Sequence, residues 1–106
     1  MNYLEKRGFI ACAGTALGIR RFEAAMLLAL VEAKGQPMTF EQLMHSGELI
    51  NQNIGWDSVK CGMARLRGAL NDVGVLSVEL FSHSGSYRLP EKDVPGIMAV
   101  VTDGKL

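Results

Sequence analysis

Apolar residues along this chain repeat at two periods. From residue 22 they recur at helical spacing. Phe22, Met26, Ala29 and Leu30 share one stripe, widened by Leu27 and Val31. Strong helix formers fill 24 to 28, Gly35 stops the segment and Pro37 prevents its resumption. A second run, Val59, Met63, Leu66 and Leu70, steps by four, three and four, so these residues share one core-facing side of a helix. Asp57 or Ser58 is placed to cap that helix, and Gly74 to end it. Gly62 within it costs about 1 kcal/mol of helix propensity against Ala. After Gly74 the period becomes two. Leu76, Val78 and Leu80 alternate with Ser77 and Glu79, then "SHSGS" turns the chain and "YRLP" returns it. Residues 75 to 90 therefore read as a hairpin.

Between the two long helices, "MTFEQL" carries a capping box. Thr39 can accept from the Gln42 amide while Gln42 reaches back, and Met38 and Leu43 are placed as a hydrophobic staple. A short helix is expected from about Phe40 to Ser46 and Gly47, making a helix-turn-helix pair with the first. "SGELINQNIGW" reads as a loop, with room for one helical turn at Glu48 to Asn51 and with Trp56 its packing anchor. At the ends, residues 9 to 13 and 16 to 19 are short apolar runs split by Gly14 and Thr15. A strand, a turn, then a second strand or helix start fits them. "IMAVV" reads as a possible last strand.

These elements suggest an α+β fold in three parts. Residues 1–20 form an N-terminal strand or arm, 21–90 the main domain, and 91–106 a tail with a possible short strand. At 106 residues the chain is one domain at most, with 48% hydrophobic residues to build a core. Eleven basic residues balance eleven acidic ones, which argues against indiscriminate nucleic-acid binding but not against a local basic face. Lys6, Arg7, Arg20 and Arg21 face only Glu5 in the first 21 residues, whereas Lys60, Arg65 and Arg67 face Asp57 and Asp72 in 57–74.

The candidate chemistry is sparse. Cys12 and Cys61 form no metal-ligand spacing with His45 or His83, so neither a metal site nor a cofactor is legible. Two free thiols fit a reducing, cytoplasmic setting. Lys6 and Arg7 before "GFIACAGTALGI" imitate a short signal peptide. However, Gly14 breaks the run and Arg20 and Arg21 follow it, so an N-terminal strand is the better reading. Nothing orients Cys61 and His83 as thiol and base, and no enzyme is expected.

The stretches "EAAMLLAL" at 23–30, "GQPMTFEQL" at 35–43, "VKCGMARLRGAL" at 59–70 and "GSYRL" at 85–89 resemble the OmpR-type effector domain of response regulators. The resemblance covers residues 20 to 90, with no receiver domain expected. It implies a winged helix-turn-helix: three helices, a C-terminal hairpin wing and short N-terminal strands. It also implies a sequence-specific transcriptional regulator, with residues 58–72 in the major groove of double-stranded DNA and the wing, 81–88, on the backbone or minor groove.

The expected DNA contacts are Ser58, Lys60, Cys61, Ala64, Arg65 and Gly68 on the helix and His83, Ser84 and Arg88 in the wing. The resemblance further implies an ion pair between Arg67 and Glu23. Gly68 and Ala69 stand where the family is usually basic, Ser86 where its wing has Gly, and His83 near a wing Arg. The neutral charge and internal glycines suit an alternative, a winged-helix module that docks on RNA polymerase or another regulator without touching DNA. A small neutral module binds a single half-site weakly, so a homodimer is expected, joined through "GFIACAG" and "IMAVV".

Overall fold

Helix ends in this chain are set by local hydrogen bonds. The computed structural model describes residues 2–50, 53–74, 78–81 and 85–103. Helix α1, Tyr3–Leu17, starts where the Asn2 side chain accepts from the Glu5 amide at 2.9 Å. It ends at Gly18, whose left-handed φ of 63° a β-carbon would oppose. Helix α2, Arg21–Glu32, starts where the Glu23 carboxylate reaches back to the Arg20 amide at 3.2 Å. Lys34 and Gly35 then take positive φ and turn the chain.

The capping box forms as expected. Thr39 Oγ1 accepts from Gln42 N at 3.1 Å, and Gln42 Oε1 accepts from Thr39 N at 2.9 Å. It starts α3, Phe40–Met44, which tightens into a 3₁₀ segment, His45–Ile50. Thr39→Ala is expected to lower stability by about 1 kcal/mol without changing the urea m-value, as read by equilibrium unfolding.

Helix α4, Trp56–Asp72, begins earlier than expected. Its N-cap is Gly55, which offers no side-chain cap, and Asp57 and Ser58 lie inside the first turn. Gly74, at φ 78°, follows its end. Strands β2, Glu79–Phe81, and β3, Ser86–Arg88, pair antiparallel, with Leu80 across from Tyr87. The two-residue β1, Met38–Thr39, pairs with the other edge of β3, Met38 across from Tyr87. The expected hairpin thus forms at its described residues; 75–77 and 82–84 lie outside them. A 3₁₀ turn at Glu91–Asp93 leads into α5, Val94–Asp103.

The expected architecture is corrected at both ends. Five α-helices dominate the described residues, and the sheet is small. This is not the predicted winged helix-turn-helix of three helices, a wing and N-terminal strands. Residues 9 to 13 are helical because Phe9, Ile10 and Ala13 form one buried side of α1. "IMAVV" is helical because Ile97 and Val101, four apart, are both buried. The two end helices pack on each other, and α1 also packs on α2. They leave an apolar groove of about 400 Å³, lined by Leu4, Phe9, Met98 and Val101 among others.

The core centres on α2, buried continuously from Phe22 to Leu28 and again at Leu30. Val59, Met63, Leu66 and Leu70 of α4 meet it on the predicted side. Burying each such side chain stabilises the fold by roughly 1.5–3 kcal/mol. No helix among the described residues is long and apolar enough to cross a membrane.

Candidate nucleic-acid interface

The side of α4 turned away from the core has a crest and two flanks. At 3.6 residues per turn, Cys61, Ala64 and Gly68 run along the crest, all small and all exposed. Ser58 and Arg65 lie on one flank, Lys60 and Arg67 on the other, also exposed. From Ser58 to Asn71 the exposed positions carry three cations and no carboxylate; Asp57 and Asp72 stand at the two ends.

One flank rests on aromatic rings. Phe40 stacks on Tyr87 with centroids 5.2 Å apart and meets Trp56 at 5.3 Å. The Lys60 ammonium lies 6.0 Å from the Phe40 ring centre. Trp56 anchors the start of α4, yet it remains 55% exposed. Burial pushes the Tyr87 phenol above its usual range, while the Arg67 guanidinium pulls it down.

The other flank rests on a buried charge. Glu23 is only 1% exposed, and its Oε2, which has no hydrogen-bond partner, lies 3.6 Å from Arg65 Nη1. The predicted pair with Arg67 does not form. Gly62 touches α2 beside Glu23, and Arg65 is one turn further along that same side of α4. Arg67 is two residues on and points to the opposite flank. Arg65 remains half exposed beyond its ion pair.

The predicted contacts divide accordingly. Ser58, Lys60, Cys61, Ala64, Arg65 and Gly68 share one exposed surface. Arg88 does not join them as a free cation. Its Nε donates to the Gly35 carbonyl at 2.9 Å and its Nη1 to Glu79 Oε2 at 2.9 Å, tying the turn after α2 to the hairpin. His83 and Ser84 lie outside the described residues.

Sequence reasoning missed Arg20, which counted only toward N-terminal charge. It lines one hollow with Ser58, Cys61 and Arg65. No local pattern marks that neighbourhood, because it arises from α2 crossing α4. Among the described residues no group of three or more His, Cys, Asp or Glu is placed to hold a metal ion. Comparison with protein-family models, with curated proteins and with solved structures found no match to this chain.

Proposed function

We propose that this protein binds double-stranded DNA through the exposed side of α4 and regulates transcription, two copies acting on adjacent half-sites. The observation that carries the reading is the crest and its flanks. A major groove about 12 Å wide admits a helix. Small crest residues let the backbone of α4 approach the base edges, and Arg65 and Lys60 with Arg67 reach toward the phosphates on either side. Cations placed on flanks position a helix more than they read sequence. Discrimination then falls to the crest, at Cys61 and Ala64, and affinity to the flanks.

Affinity is expected to be modest and to fall with salt at a slope set by a few phosphates. Selection from random duplexes, followed by fluorescence anisotropy against salt, tests the reading. Lys60→Ala and Arg67→Ala, neither of which removes the counter-charge of a buried carboxylate, should each weaken binding and flatten the slope of log K against log salt by about 0.9. Unchanged affinity in the double variant would remove α4 from the interface. If the chain shifts no duplex at low salt, the exposed Trp56 makes docking on a protein partner the better reading.

A further inference from the structure

The hollow between the start of α2 and the first three turns of α4 has a volume of about 240 Å³ and is lined by Arg20, Phe22, Asp57, Ser58, Cys61 and Arg65. The geometry points to a seat for one backbone phosphodiester, in which Arg20, at the N-cap of α2, and Arg65, on α4, hold the phosphate from two sides. This inference rests on the DNA-binding reading and deepens it, because it assigns a contact to α2, outside the helix that enters the groove.

The donors fit a tetrahedral anion. Each guanidinium offers five N–H donors, and Ser58 adds a hydroxyl. Arg65 uses Nη1 toward Glu23 at 3.6 Å, which leaves its other donors for the hollow. Glu23 also sets the framework. Its Oε1 takes the Arg20 amide at 3.2 Å and its Oε2 faces Arg65, so one buried carboxylate fixes the backbone of one arginine and the head group of the other. Groups held in advance lose less freedom on binding.

The charge identifies the source of the phosphate. Two guanidiniums face Asp57 on the lining and Glu23 beneath Arg65, so the seat has little net positive charge of its own. Free inorganic phosphate gains little there. A phosphodiester on a duplex already docked on α4 arrives at high effective concentration, and for it the directed donors are enough.

Cys61 supplies the test, because its exposed thiol lines the hollow whereas Cys12 is half buried. In a Cys12→Ala variant, iodoacetamide alkylation of Cys61 is followed alone, with a selected duplex and with millimolar inorganic phosphate. Binding of the same duplex is measured by anisotropy. The duplex is expected to slow alkylation about tenfold, and inorganic phosphate less than twofold. Arg20→Gln retains the backbone amide that Glu23 holds. It should weaken duplex binding about tenfold and flatten the salt slope by about 0.9. Asp57→Asn should tighten binding severalfold. A duplex that binds while Arg20→Gln changes neither affinity nor slope overturns the seat and leaves the DNA reading standing. If no duplex binds but inorganic phosphate protects Cys61, the DNA reading falls, and so does the assignment to a duplex phosphate. If no duplex binds and neither ligand protects Cys61, both readings fall; a duplex that binds without slowing alkylation overturns the seat and takes α4 out of the interface.

Discussion

Gly62→Leu is expected to destabilise the protein by about 3 kcal/mol, and Gly68→Ala, six positions along the same helix, to stabilise it by up to about 1 kcal/mol. The two glycines meet different surroundings. A β-carbon at Gly62 would lie 2.8 Å from Phe22 Cε1, 2.9 Å from Met26 Cε and 3.4 Å from Glu23 Cγ. The methionine terminus can swing aside, but the Phe22 ring is buried and has less room to move. Even Gly62→Ala therefore offsets its gain in helix propensity by overpacking, and a branched side chain forces α4 away from α2. At Gly68 a β-carbon meets nothing within 4 Å. Urea unfolding of the two variants beside the parent decides the matter. Equal effects at both positions would mean that α4 does not approach α2 closely at Gly62.

Arg65→Ala should cost about 1–3 kcal/mol in stability, well above the usual effect of an exposed arginine. It leaves Glu23 Oε2 buried with neither a hydrogen bond nor a counter-charge. Glu23→Gln in the same background should recover most of the loss, because the amide oxygen still accepts from Arg20 N while the buried charge is gone. A double-mutant cycle by chemical denaturation measures the coupling, and strictly additive losses would show the pair to be inert. The result bears on any binding assay. A weakened duplex complex in Arg65→Ala mixes lost contact with lost fold, which is why Lys60 and Arg67 make the cleaner probes.

The middle of the chain was legible because its signals are local. Thr39 and Gln42 announce a helix start within four residues, and the Val59–Leu70 spacing identifies the core side of α4 without knowledge of what covers it. The ends were not. Phe9, Ile10 and Ala13 sit in a short apolar run that suits a buried strand as well as a helix, and "IMAVV" favours strand by composition. Both become helices by packing on each other from opposite ends of the chain, which no window of sequence contains. The pairing of β1 with β3 is hidden for the same reason. At the candidate site, the positions on α4 followed from periodicity. The Glu23 partner and the place of Arg20 depended on how α2 crosses α4, and so on Gly62.

Helix α2 has almost no polar side, being enclosed from Phe22 through Leu28. During synthesis that greasy segment emerges before the 3₁₀ segment and α4, which pack against it. Until they arrive, "AAMLLAL" is an adhesive stretch with no charge of its own to repel another chain. The arginines at 20 and 21 and the glutamate at 32 bracket it as gatekeepers. Neutralising them should therefore lower the soluble yield of newly made protein more than it lowers the melting temperature of the finished molecule.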